Sequence, residues 1–307
     1  MKTTNTNTER LAITNFPNIV PKILRTETRK AQDPYNAPDF VEIPAQTVCA
    51  TVGFGEVESA NIVGYTQKAI ASDQYVLTGI QFESIDSLNK LTSLVGTSDT
   101  GTKAWDGDDN IPGWYNNAMT LMVPKTTGGY DYYYYASDGY DEANDSEYAG
   151  WCDKFGYIQP GVTLTTGLGV WFKGGTASDE TITVSGQVIS DDTTTTSVGA
   201  GYTIVANPYP IAVDLQTVAT TAHAGTAWDG DDNVPGWYNN APTIMVPKST
   251  GGYDYYYYAA DGYDEADDSE YAGWCDKFGY IQKDVTIPVS TGIWFSNAEA
   301  ATLTFSK

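Results

Sequence analysis

Apolar and polar residues alternate along several short stretches of this chain, and the stretches recur. Asn61–Ile70, Gln74–Ser84, Met119–Val123, Tyr130–Ala136, Val162–Lys173 and Thr181–Ile189 read as strands, rich in β-branched and aromatic residues. A second set follows at Gly201–Ala206, Pro242–Val246, Tyr253–Ala259, Val285–Ser296 and Ala301–Ser306. Clusters of Gly, Asn, Asp and Pro separate them, as turns between strands do. Helical spacing is confined to one short turn per set. Ser87 is placed to cap Leu88, Leu91, Leu94 and Val95, and Asp214 to cap Leu215 and Val218. The pattern predicts an all-β chain built as sandwiches or small barrels.

The two sets are copies of one unit. Trp105–Gln159 aligns with Trp228–Gln282 at an offset of 123 without a gap, and only six of the 55 positions differ. Upstream, Tyr75-Val-Leu-Thr-Gly matches Tyr202-Thr-Ile-Val-Ala at an offset of 127, so a four-residue length difference falls near residues 95–105. Each copy closes on a Thr/apolar strand, Glu180-Thr-Ile-Thr-Val-Ser and Ala301-Thr-Leu-Thr-Phe-Ser. The expected organisation is an extended N-terminal arm over 1–58, one β module over 59–187 and a second over 188–307. Duplicated modules are commoner in binding arrays and assemblies than in enzymes.

Tyr130-Asp-Tyr-Tyr-Tyr-Tyr, repeated at Tyr253–Tyr258, places Tyr on both faces of a strand. One face suits the core; the other is left for exposure, a covering loop or an interface. Trp171 and Trp294 sit within strand patterns and are expected to fill the cores.

Composition adds a charge asymmetry. The chain of 307 residues carries a net charge of −23. Residues 1–46 hold six basic and five acidic residues, and the remainder holds ten basic against 34 acidic. A body this acidic repels phosphate, which argues against a nucleic-acid partner. The arm's basic cluster, Lys22, Arg25, Arg29 and Lys30, is suited to dock on such a body. Ala45–Phe54 in the arm has strand character and is suited to join a neighbour's sheet edge. No apolar run is long enough for a membrane span, and Met1 to Pro21 lacks a signal-peptide core.

Candidate chemistry is of the binding kind. Asp106, Asp108 and Asn110, and again Asp229, Asp231 and Asn233, have the alternate-oxygen spacing of a calcium loop. The match is partial, since Ile111 stands where such loops carry Gly, and the alternative is an Asp/Asn-rich turn. A second acidic group follows the Tyr strand: Asp138, Asp141, Glu142, Asp145 and Glu147, with counterparts from Asp261 to Glu270. It reads as a solvated hairpin end or as the completion of a metal site. Trp114-Tyr115 and Trp237-Tyr238, with Tyr133 and Tyr256, are the aromatic candidates for a sugar surface or an interface. Catalysis is not expected. The single histidine, His223, has Thr100 as its counterpart, so no Ser–His or Cys–His pair is shared by the copies. Cys152 and Cys275 are equivalent and read as buried thiols; the alternative is an intersubunit disulfide with Cys49.

Asn61-Ile-Val-Gly-Tyr, with Gly201-Tyr-Thr-Ile-Val-Ala-Asn-Pro-Tyr-Pro in the second copy, resembles the repeat openings of secreted bacterial surface β-repeat proteins of unknown activity. The resemblance covers the module bodies and implies an extracellular β-protein. The functional expectation is a self-assembling subunit of an extracellular filament or surface layer, joined through the arm. The alternatives are a two-site polysaccharide-binding surface protein and a virion surface or fibre protein.

Overall fold

The computed structural model describes residues 63–97, 105–107, 114–221, 228–230 and 237–307, with the backbone alone at 237 and 240. The regular structure of the described residues is almost entirely β. The first copy contributes β1 (Val63–Ile70), β2 (Tyr75–Gly79), β3 (Phe82–Glu83), α1 (Leu91–Leu94), β4 (Val95–Thr97), β5 (Thr120–Pro124), β6 (Tyr130–Asp141), β7 (Ser146–Cys152), β8 (Gly169–Lys173) and β9 (Glu180–Val188). The second contributes β10 (Thr193–Val198), β11 (Gly201–Ala206), β12 (Val213–Asp214), β13 (Ala219–Thr220), β14 (Thr243–Pro247), β15 (Tyr253–Asp264), β16 (Ser269–Cys275), β17 (Thr286–Ile287), β18 (Gly292–Asn297) and β19 (Ala301–Ser306).

Each copy builds an antiparallel five-stranded sheet, β2-β8-β5-β6-β7 in the first and β11-β18-β14-β15-β16 in the second. A smaller sheet faces it, made of β1, β9, β3 and β4 in one case and of β10, β19 and β13 in the other. Neither five-stranded sheet closes into a barrel. The period-two alternation explains the layers. Leu121, Val170, Phe172 and Trp151 face inward from the large sheet of the first copy, against Ile70, Phe82, Val95, Ile182 and Val184 from the small one. Ile244, Ile293, Phe295 and Trp274 meet Leu303, Phe305 and Val198 in the second.

The two large sheets touch at the ends of β2 and β8 against β11 and β18, and the contacts are reciprocal. A Cβ on Gly169 would overlap Ile204 and lie 2.7 Å from the Val205 carbonyl oxygen. A Cβ on the equivalent Gly292 would lie 2.7 Å from Leu77 and 2.9 Å from the Thr78 oxygen. Leu77 and Thr78 are the counterparts of Ile204 and Val205, so each copy presents to the other what it receives. Gly79 meets its own counterpart, Ala206. The Ala206 N–H donates to the Gly167 carbonyl at 2.8 Å, and the Thr78 hydroxyl donates at 2.8 Å to the carbonyl of Ser290, the counterpart of Gly167. This is the signature of a two-fold, isologous interface, here formed within one chain. Glycine is required because the backbones approach too closely for a side chain.

Several sequence expectations change. Ser87 does not cap the first helical turn: it lies at φ 58°, and the cap position of α1 is Lys90, without a side-chain bond. Asp214 does cap its turn, accepting from the Gln216 N–H. β6 and β15 run five residues beyond Ala136 and Ala259, through a bulge. β7, β16 and β10 were not expected. Trp171 and Trp294 do not fill the cores; they project from the outward faces of the large sheets, opposite in parity to Phe172 and Phe295.

Candidate functional surfaces

The Trp-Asp-Gly segments are anchored plugs. Trp105 and Trp228 are buried in small secondary cores on the outward side of the large sheets, with Ala136 and Cys152 in the first copy and Ala259 and Cys275 in the second. The Ser137 N–H donates to the Trp105 carbonyl at 3.1 Å, and the Asp138 N–H to the Asp106 carbonyl at 2.9 Å. Gly107 sits at φ 106°, with its Cβ position 2.7 Å from the Asp138 oxygen, so glycine is needed for this approach. Asp106 and Asp229 are exposed at the edge of this anchor. Asp108, Asn110, Asp231 and Asn233 lie outside the described residues. Among the described residues, no three His, Cys, Asp or Glu side chains converge as a metal group.

The Tyr strand divides three ways. Tyr133 and Tyr256 pack against the main cores, which leaves them little surface for a ligand. Tyr134 is covered by the Trp105 plug and by Tyr115, whose ring centroid lies 4.8 Å away. Tyr238 and Tyr257 repeat this pair at 4.8 Å. Burial pushes the Tyr134 phenol up to about 12. Trp114 is half-buried against the same secondary core, and the Trp237 side chain is outside the described residues. Tyr130, Tyr132, Tyr253 and Tyr255 remain on the outward face.

The acidic hairpin ends are internally satisfied. Asp141 accepts from the Ala143 N–H at 3.0 Å, the Asn144 amide at 2.8 Å and the Tyr148 hydroxyl at 3.0 Å. These bonds, that of Asn144 first, hold its carboxyl below the ordinary range. In the second copy Asp267 replaces Asn144, and Lys283 replaces Pro160. Lys283 bridges Asp264 and Asp267, and it is the main cause of the lowered Asp264 pKa. The two changes compensate one another: a second carboxylate arrives together with a cation that neutralises it.

Cys152 and Cys275 are buried free thiols, pushed up to about 12 by burial. Neither is disposed for nucleophilic chemistry. Cys49, His223 and the arm residues Lys22, Arg25, Arg29 and Lys30 lie outside the described residues.

The outward faces carry the surfaces that sequence reasoning missed. Strand register aligns Leu77, Trp171, Met122 and Tyr132 across four strands, and Ile204, Trp294, Met245 and Tyr255 across their counterparts. Tyr253 accepts from the Trp294 indole at 3.3 Å. Burial, with smaller contributions from the phenols of Tyr132 and Tyr253, pushes Tyr130 up. The signal available in sequence was the parity of Trp171 against Val170 and Phe172.

No protein-family model and no curated protein matches this chain.

Proposed function

We propose that the chain is a non-catalytic structural subunit of an extracellular assembly, joined head to tail through its N-terminal arm. The observation that carries this reading is the edge strand β10. It pairs only with β19 among the described strands, and along Thr193–Val198 it has no charge, proline or glycine to discourage a further strand. The edge strand of the other small sheet, β1, is treated differently. Its Lys68 reaches to the Leu77 carbonyl at 3.2 Å, an ammonium spent on the gap between the two sheets. The arm segment Ala45–Phe54 is long enough to pair along the whole of β10, and the basic cluster upstream of it would meet the acidic body. One arm and one such edge per chain define a heterologous contact, which propagates. In this assembly the Asp106 and Asp229 loops would bind calcium and stiffen the surface.

The test is negative-stain electron microscopy and sedimentation of the full chain beside a chain lacking residues 1–58, each with calcium and with chelator. Ordered polymers are expected from the full chain only. Thr194→Pro and Thr195→Pro bracket the outward N–H of β10, and one of them should abolish polymers while the fold survives. Monodisperse full-length protein under every condition would sink the reading.

A further inference from the structure

Between the seam, which buries Leu77 and Ile204, and the Trp105 and Trp228 plugs, the outward faces of the large sheets expose aromatic rings rather than polar side chains. Tyr132 and Tyr255 are 48% and 51% exposed, and Tyr75 and Tyr202 58% and 72%. Between them lie the half-buried Trp171 and Trp294. Contiguous exposed rings of this extent mark an interaction site.

We propose that these two faces are glycan-binding platforms, one per copy, each stacking an extended, uncharged polysaccharide chain across the strands. This inference is independent of the assembly reading above. Neighbouring strands are about 4.8 Å apart, so Trp171 on β8 and Tyr132 on β6, with β5 between them, set their rings about 10 Å apart. That spacing lets alternate sugar rings of an extended chain each meet an aromatic face, with the Met122 side chain filling the floor between. The rings are held before any ligand arrives. Trp294 is bonded to Tyr253 and met edge-on by Tyr202 at 6.4 Å, and Tyr132 is met edge-on by Tyr130 at 6.4 Å. Rigid rings lose little entropy on binding.

Polar groups flank the rings. Lys173, next but one to Trp171, pairs with Asp73 at 2.6 Å, and Thr120 is its cross-strand neighbour; Ser296 and Thr243 hold the corresponding places. Lys173 and Ser296 supply polar groups for sugar hydroxyls at the edge of the platform, while Thr120 is buried beneath it. The body's charge selects the ligand class, because an anionic polymer would be repelled.

Internal comparison points the same way. Tyr75, Met122, Tyr130, Tyr132 and Trp171 are identical to Tyr202, Met245, Tyr253, Tyr255 and Trp294. In the same strands β2 and β11, Val76, Leu77, Thr78 and Gly79 have become Thr203, Ile204, Val205 and Ala206. An exposed Tyr retained where its neighbours have changed is not explained by packing.

The two-fold has a consequence for stoichiometry. A glycan chain has a direction, so one chain cannot be read identically by two platforms related by a two-fold. Each platform takes its own chain, and the protein holds two chains in opposite senses.

The test is affinity electrophoresis of the full chain in gels containing hydroxyethyl cellulose, xylan or glycol chitin, with dextran sulfate as the anionic control. Titration with the matching soluble hexasaccharide follows. We expect retention by at least one neutral polymer and two ligands per chain. Tyr132→Ala and Tyr255→Ala change exposed residues and should each weaken one site at least tenfold while leaving the other unchanged. Trp171→Ala with Trp294→Ala should abolish retention, with the unfolding temperature as the check on folding. A wild type that migrates freely in all three neutral gels overturns the proposal. So does retention that survives both Tyr substitutions together, or retention by dextran sulfate alone.

Discussion

Trp151 and Trp274 occupy the same place in segments that are 49 identical residues out of 55, and they are not in the same state. Both are fully buried, and both meet a Tyr edge-on, at 5.3 Å from Tyr135 and 5.1 Å from Tyr258. The Trp274 indole N–H donates to the Val218 carbonyl at 2.7 Å, whereas the Trp151 indole N–H has no partner. The cause lies outside the repeated segment. Val95 and Val218 both end the helical turn, but the turn before Val95 is the four-residue α1, Leu91–Leu94, whereas the turn before Val218 is the three-residue Leu215–Thr217, so the two copies present different backbone to the indole. Gln216 further binds both the N–H and the carbonyl of Trp274. Near-identity along the chain therefore does not confer equal stability; the diverged residues packed around a repeat decide how well its buried polar groups are satisfied.

The comparison can be broken most forcefully at the seam. Gly169→Ala and Gly292→Ala should each destabilise the chain by about 1–3 kcal/mol through overpacking. Gly169→Ala should cost the more, because its Cβ would lie closer to the Val205 backbone, 2.7 Å from the oxygen, than the Cβ of Gly292 would to the Thr78 oxygen at 2.9 Å. Wild-type denaturant midpoints for both variants would contradict the reciprocal packing described here, and equal losses would contradict the ranking of the two sites. Next comes the buried indole. Trp274→Phe removes a satisfied hydrogen bond and orphans a carbonyl, while Trp151→Phe removes an unsatisfied donor. The first should exceed the second by about 1–2 kcal/mol in chemical denaturation.

A smaller effect separates the hairpin ends. Asn144→Asp places a second carboxylate beside Asp141 without a cation, so the unfolding temperature should fall at pH 7. Adding Pro160→Lys should restore it. The folded pKa values of Asp141 and Asp264 are lowered, so both carboxylates stabilise the fold above the ordinary carboxylate range. That contribution is lost as pH falls through the lowered values. The penalty of Asn144→Asp should thus disappear in acid; a penalty independent of pH would refute the charge argument. The least difference is expected at the thiols. Cys152 and Cys275 should resist alkylation equally at pH 8 and react together on unfolding, as mass spectrometry of labelled peptides would show.

Much of this fold is legible in the sequence because it rests on period-two alternation. Val170 and Phe172 could be read as inward-facing, and so could Thr181–Ile189, where every second residue is apolar. Alternation alone does not say which face the rest of the protein covers, and so Trp171 was assigned to the core. β7 escaped notice because Ser-Glu-Tyr-Ala-Gly-Trp-Cys has small residues where alternation needs bulk. Gly150 is small there so that Ile158 can pack against it, as Gly139 on the neighbouring β6 is for Ile158 and Cys152. β10 escaped because an edge strand made mainly of Thr has little apolar pattern to show. The platforms were hidden for another reason: they are assembled from residues on four strands, and only register brings them together.

The seam makes this chain a dimer that dilution cannot dissociate. A protein that pairs by meeting a second copy has a concentration below which it is single, and it carries every appendage twice. Here the pairing partner is tethered by the few residues between Val188 and Thr193, so the paired state is independent of how much protein is present. The fusion also breaks the equivalence of the halves. Only one of them follows an N-terminal segment, and only one contains Gln216 and Lys283. The object is nearly symmetric in shape yet has a front and a back, and polarity of that kind is what a self-paired homodimer lacks.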